Sequence, residues 1–329
     1  MKTDNIVSLQ QHFSQKEILN DVIKGNLSKS MSKSDTELRT IEGTTNIDYL
    51  VSLADDYPTP PSCYIPLSDG RIDKNGPRVM AFIGIVSGSG YSERRNAVRA
   101  TWLRSMPSDF KYLFVLGMPP EERTDAIIEE MNKFGDMMVI NSPEDYANIL
   151  MQSLAGLYWG AEKCGAYYSF KVDDDTFLMP EVLKQRLKPY PPISNFVGIH
   201  RSAVKPIRAA TDKWSLSHSR YEFDDYAPYA AGACYGVTYN IVLKLQMFKM
   251  EPLWVNPYVV YLEDVAMGLL VGSAAAHHIN LKGNAFKTSC DTTATDTIFV
   301  HYMHPADMEL AWENLQKSPP VAFCVGIAR

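Results

Sequence analysis

The chain has 329 residues, 46% hydrophobic and 21% charged, with 32 lysines and arginines against 38 aspartates and glutamates for a net charge of −6. That length and apolar content suit a large α/β domain with a sizeable core, and the acidic balance excludes a globally basic nucleic-acid binder, though not a local basic groove. The five cysteines include no C-x-x-C pair, which argues against a structural zinc site and leaves the redox compartment open.

Residues 1–76 are polar, rich in Ser, Thr, Asn and Asp, and end in a Pro/Gly-rich stretch from Pro58 to Pro77. This composition predicts a poorly packed stem or linker with a short amphipathic helix near residues 15–24; an N-terminal subdomain packed on the core is the rival reading. The segment carries one glycosylation triplet, Asn26-Leu27-Ser28, and the sequence contains neither a membrane-spanning apolar run nor an N-terminal secretory signal. From residue 77 to 329 the pattern is that of one folded domain. Val79–Val86 is a continuous apolar run and reads as a buried strand, turned by Gly88-Ser89-Gly90 into a helix capped by Ser92 and running to Trp102. Tyr112–Leu116, Met137–Ile140 and Tyr167–Val172 read as further strands, with helices over Glu121–Phe134 and Asp145–Cys164 between them. Such alternation predicts an α/β fold with a single, Rossmann-like, mostly parallel sheet flanked by helices. Beyond it, Phe196–Ile199 and Cys234–Val237 read as short strands, and Tyr239–Phe248, Asp264–Val271 and Pro305–Gln316 as helices.

Four groups of residues carry chemistry. Asp173, Asp174 and Asp175 end the fourth strand. Three adjacent carboxylates repel one another unless a cation neutralises them, and hard oxygen ligands favour Mn²⁺ or Mg²⁺. A solvated acidic turn is the bland alternative, but Thr176-Phe177-Leu178 returns at once to apolar residues, and the spacing lacks the glycine and alternating ligands of a calcium loop. Glu263 and Asp264 follow an apolar run and start a helix; they read either as acids complementing the helix dipole or as a general base. Arg94, Arg95 and Arg99 follow the first strand and its glycine turn, where arginines suit a phosphate or nucleotide but equally make a charged helix face. His301, ending the run Ile298–Val300, is a structural histidine or a further metal ligand, with His304 close behind it.

Taken in order, these segments resemble the inverting β-1,3-glycosyltransferases of GT-A fold that use UDP-galactose or UDP-N-acetylglucosamine. Arg95-Asn-Ala-Val-Arg99-Ala-Thr101-Trp102 is similar to that family's R-x-x-I-R-x-T-W, Phe114-Val-Leu-Gly117 to its F-x-L-G, and Asp145-Tyr146-Ala147-Asn148 to its D-x-Y-x-N. Trp159, Cys164, Ala166, Tyr168, Lys171 and Asp173–Asp175 resemble W-x4-C-x-A-x-Y-x-x-K-x-D-D-D. Trp214 and Tyr229-Ala-Ala-Gly232-Ala-Cys-Tyr235 resemble the W-x-V and Y-x-x-G-x-x-Y blocks, Glu263-Asp264-Val265-Ala-Met-Gly268 resembles E-D-V-x-x-G, and the His301–Met308 segment resembles H-x-x-x-P-x-E-M. The likeness spans about residues 79–316.

The resemblance implies roles. Asp175 is expected to ligate Mn²⁺ (or Mg²⁺) with His301, with Asp174 as the alternative ligand; Asp173 is expected near the ribose or uracil. Arg95, Arg99 and Asp174 would belong to the donor site, Trp214 and Gly232 would shape the sugar and acceptor cleft, and Asp264 would be the general base, with Glu263 next in line. That base must be ionised at neutral pH and is expected to be solvated or hydrogen-bonded. The implied partners are UDP-galactose or UDP-N-acetylglucosamine and a glycan acceptor, in the Golgi lumen. A catalytically silent relative that binds glycan or protein is the alternative; such a copy would be expected to lose one of these acids, and this chain keeps them all. Two blocks depart from the pattern: Gln152 stands where the family has Lys, and Trp214-Ser215-Leu216 replaces W-x-V.

Overall fold

The computed structural model describes residues 51–60, 63, 79–247, 261–281 and 297–317. Its centre is a seven-stranded sheet. The first part alternates as the sequence predicts: β1 (Ala81–Val86), α1 (Ser92–Ala100), β2 (Phe110–Met118), α2 (Thr124–Phe134), β3 (Met137–Pro143), α3 (Ile149–Glu162) and β4 (Tyr168–Asp173). There follow β5 (Phe177–Leu178), α4 (Pro180–Leu187), β6 (Asn195–Arg201), β7 (Tyr229–Thr238), α5 (Tyr239–Met247), α6 (Glu263–Ser273), β8 (His277–Asn280), β9 (Phe299–Val300) and α7 (Pro305–Gln316). The strand order is β3-β2-β1-β4-β7-β6-β8, and β5 pairs with β9 in a separate two-stranded sheet. Within the large sheet only β7 runs against its neighbours; every other pairing is parallel. The expected α/β class with a mostly parallel sheet is what the chain adopts.

The alternation of side chains along each strand divides the core in two. Ala81, Ile83 and Ile85 of β1 face α1, α2 and α7, where they meet Val98, Ile127 and Met308. Phe82 faces the opposite layer, with Leu154 and Leu157 of α3, Ile241 of α5 and Leu269 of α6. Helix α3 lies unusually close to the sheet because glycines meet there: a Cβ on Gly84 would stand 3.2 Å from the Cα of Gly156.

One expectation is corrected here. Ser92 does not cap α1: it lies inside the helix, the N-cap is Tyr91, and no side chain caps that end. Part of the segment expected to be a linker makes contacts with the sheet. Leu53 bridges Ile140, the Ala54 N–H donates to the Val139 carbonyl at 2.9 Å, and Asn141 Nδ2 donates to the Leu53 carbonyl at 3.0 Å. These contacts cover the exposed edge of β3, where unpaired backbone groups would otherwise remain. Cys63 and Cys164 form a disulfide, tying the same segment to the end of α3, and Cys234 is a buried free thiol. The expected helix near residues 15–24, Cys290 and Cys324 lie outside the described residues.

Candidate active site

The carboxyl end of the sheet opens into a cleft of about 720 Å³. Ligands bind at this edge in open α/β sheets, and here strand register determines which side chains reach it. Lys171 and Asp173 are two residues apart on β4 and share a face; Tyr235 of β7 stands directly opposite Lys171. The buried Lys171 ammonium lies 2.6 Å from Asp173 Oδ1 and 3.4 Å from Glu263 Oε2, and donates to the Gly232 carbonyl at 2.6 Å. Tyr235 donates its hydroxyl proton to Glu263 Oε1. One buried cation thus joins the aspartate strand to the first turn of α6.

The two-stranded sheet supplies the next contact. Pairing of Phe177 with Val300, and of the Met303 N–H with the Asp175 carbonyl at 2.8 Å, brings the residue after β9 against the turn after β4. His301 Nε2 consequently lies 3.1 Å from Asp175 Oδ1 and 3.4 Å from Asp173 Oδ2. Asp173, Asp175 and His301 each offer a ligand atom, all within 4.8 Å of one another. Two carboxylates and an imidazole at that spacing fit a borderline divalent cation such as Mn²⁺. Burial works against the charged forms of His301 and Asp173, but Asp173 and Asp175 push His301 up to about 9, and the Lys171 ammonium followed by His301 brings Asp173 down to about 2.

Asp174 points elsewhere. It accepts from Ser87 Oγ at 2.7 Å and pairs with Arg94 Nη1 at 2.9 Å, and burial still raises its carboxyl to about 6. It is not one of the three residues whose ligand atoms cluster, whereas Asp173 is.

Asp264 and Gly232 face one another on the wall of the cleft formed by β7 and α6; a Cβ on Gly232 would meet the Asp264 side chain at 3.5 Å. Asp264 is partly buried and accepts the Val265 N–H at 2.9 Å, and burial followed by the neighbouring Glu263 raises its carboxyl to about 6. It remains ionised at neutral pH and is a stronger base than an ordinary aspartate. Trp214 is exposed and lines the cleft.

Arg95 and Arg99 do not reach the cleft. Arg95 is fully buried and holds Glu130 at 2.6 Å and the Gly88 carbonyl at 2.5 Å; Arg99 pairs with Glu130 at 2.7 Å and Asp136 at 2.8 Å. Acids from α2 and the turn before β3 take up both guanidiniums, so the pair braces α1 against the sheet. Arg94 is the member of the trio that lines the cleft, a role its position in the sequence cluster does not distinguish. Gln152, at the place where a Lys was expected, donates to the Ser87 and Val115 carbonyls at 3.1 and 3.3 Å and closes the cleft floor. The sequence alone assigns Lys171 and Tyr235 no role: alternation along β4 pairs Lys171 with Asp173, but placing Tyr235 requires the β4–β7 register.

A family model described as Galactosyltransferase matches residues 93–282. The chain belongs to the galactosyltransferase family. It is 29% identical over 254 residues to hydroxyproline O-galactosyltransferase GALT2 of Arabidopsis thaliana, an alignment covering 73% of this chain and 35% of that protein. It is 26% identical over 240 residues to lactosylceramide 1,3-N-acetyl-beta-D-glucosaminyltransferase of Homo sapiens, covering 68% and 62% respectively. The matched part of this galactosyltransferase-family chain thus spans about a third to three-fifths of the length of these relatives. Among solved structures, galactosyltransferase LgtC in complex with donor and acceptor sugar analogues aligns with a TM-score of 0.38 at 13% identity, covering 69% of this chain and 88% of that one.

Proposed function

We propose that this chain is an inverting glycosyltransferase that moves galactose or N-acetylglucosamine from a UDP-sugar to a glycan hydroxyl in β-1,3 linkage, with Mn²⁺ (or Mg²⁺) as cofactor. One observation carries the reading: a single cleft holds a cation-binding corner, Asp173, Asp175 and His301, and on its β7–α6 wall a carboxylate of raised basicity, Asp264. The relatives' names, galactosyl- and N-acetylglucosaminyltransferases, supply the sugar and the linkage.

Inverting transfer is a single displacement at the anomeric carbon and needs no covalent nucleophile from the protein. Asp264 takes the proton of the attacking acceptor hydroxyl. Burial, and then the like charge of Glu263, keep Asp264 basic; Glu263 is itself held by Tyr235 and Lys171. Asp173, Asp175 and His301 would hold the metal, which when bound supplies positive charge against the diphosphate of the leaving UDP. Arg94 holds Asp174 and Asp175 in place and adds positive charge on that side. The Cys63–Cys164 disulfide supports an oxidising compartment, in keeping with the Golgi lumen. Among the described residues no helix is long and apolar enough to cross a membrane. We place the start of the catalytic domain ahead of residue 77, at the segment paired with β3.

The test is to incubate the purified chain with Mn²⁺ and a panel of UDP-sugars, and to follow UDP release with and without glycan acceptors. Acceptor-stimulated release from UDP-galactose or UDP-N-acetylglucosamine is expected; no release from any donor, or release that ignores the acceptor, refutes the proposal.

A further inference from the structure

We infer that the acceptor end of the cleft is built for an anionic glycan, a sugar bearing a carboxylate or a sulfate ester, met by Lys213 and Lys205 beside an aromatic plate of Trp214 and Tyr146. The inference rests on the transferase reading above and names the class of its acceptor.

The plate is exposed and composite. Tyr146 and Trp214 are 45% and 44% exposed, and the Lys213 ammonium lies 4.9 Å from the first ring's centre and 5.8 Å from the second. A cation over two aromatic faces is a stable arrangement that keeps its charge outward. Large exposed rings lining a cleft offer an apolar face to a ligand, and a sugar's C–H face fits one.

Its position is tied to the proposed base. Tyr261, just before α6, donates its hydroxyl proton to the Ser215 carbonyl at 2.5 Å and approaches the Lys213 carbonyl at 3.2 Å. The loop bearing Lys213 and Trp214 is therefore fastened to the element that presents Asp264. The loop is also fixed internally. Arg208 donates to the Leu216, Tyr221 and Phe223 carbonyls at 2.7, 2.8 and 2.7 Å, and Asp212 accepts the Trp214 N–H at 2.8 Å. A surface loop held this way is preorganised, which lowers the entropy lost on binding.

The charge pattern selects the ligand. Arg94 and Lys171, deep in the cleft, are already paired with Asp174, Asp175, Asp173 and Glu263. Lys205 and Lys213 also line the cleft, are exposed, and among the described residues have no carboxylate partner. Glu144 and Asp145 line the same cleft but form no ion pair with either lysine, so two exposed ammonium groups beside the plate select for a negative group on the incoming sugar. A neutral glycan would gain nothing from their charge.

The experiment is a titration of the full chain, in Mn²⁺ with and without UDP, by three sugars: methyl β-D-galactopyranoside, its 6-sulfate, and the corresponding methyl galacturonide. The sulfate or the uronate is expected to bind about tenfold tighter than the neutral sugar, the size of two partly screened ion pairs, and the better of the two identifies the anion. In the Lys205→Ala/Lys213→Ala variant that preference disappears while UDP affinity is unchanged; Trp214→Ala weakens all three sugars alike. Equal binding of neutral and anionic sugars by the wild type overturns the inference, as does a preference that survives in the double variant. Loss of UDP affinity in that variant overturns it too, by assigning the lysines to the donor. Absence of UDP binding by the wild type counts instead against the transferase reading, and the arm without UDP still reads the charge preference.

Discussion

Replacing Asp264 by Asn should remove most of the activity and at the same time stabilise the fold. Asparagine keeps the shape and removes the base, so turnover should fall by about 10²–10⁴-fold with UDP affinity little changed. The stability effect follows from the raised carboxyl. Its pKa moves from an ordinary value of 3.8 to about 6, chiefly by burial, so the folded state holds the proton more tightly than the unfolded state. Below the unfolded value both states are protonated and the ionised form costs nothing. Between that value and about 6 the cost grows with pH, and above 6 it is complete, at about 3 kcal/mol for a shift of roughly two units. Urea unfolding of both proteins at pH 4 and pH 7.5 checks this: Asp264→Asn should gain about 2–3 kcal/mol at pH 7.5 and close to nothing at pH 4. The acid limb of the wild-type rate profile should have its midpoint near 6. An equally large gain at both pH values, or full activity in the variant, refutes the reasoning; retained activity passes the base role to Glu263.

Asp175→Ala should abolish metal-dependent UDP binding in calorimetry, and His301→Ala should weaken Mn²⁺ binding; an unchanged titration for either removes that residue from the metal site. Activity should vanish on treatment with EDTA and return with Mn²⁺, and activity that persists through chelation contradicts the metal assignment. Lys171→Met should cost about 3–5 kcal/mol in urea unfolding, because Asp173 and Glu263 lose their buried counter-charge; a loss below 1 kcal/mol would show that solvent already screens the pair. The Cys63–Cys164 bridge spans 101 residues, so Cys63→Ser/Cys164→Ser should lose about 2–5 kcal/mol. An unchanged unfolding midpoint would show that the bridge contributes nothing to stability.

Much of the sheet could be read in the chain because β1 to β4 are apolar runs separated by amphipathic helices. The helix Pro180–Leu187 is short, and its sequence signals are only a proline at the first position and the Leu183/Leu187 spacing. The edge strand His277–Asn280 is short and mostly exposed, and an apolar-run reading does not detect it. At the site, Asp175 and His301 were legible as candidates from residue type, but their juxtaposition depends on the β5–β9 pairing. The arginines mark the limit of such reading. Arg94, Arg95 and Arg99 look alike in sequence, and only the long-range positions of Glu130 and Asp136 show that two of them are braces. Asp264 was legible as an acid before a helix, but its basicity comes from burial that the sequence does not display.

The proposed reaction is a one-step displacement in which Asp264 activates an acceptor hydroxyl against a UDP-sugar. Its most direct test is the anomeric configuration of the first product, read by proton NMR during turnover of UDP-α-galactose or UDP-α-N-acetylglucosamine. The β-anomer, in 1,3 linkage, is expected from the earliest time point; an α-linked first product contradicts a one-step displacement.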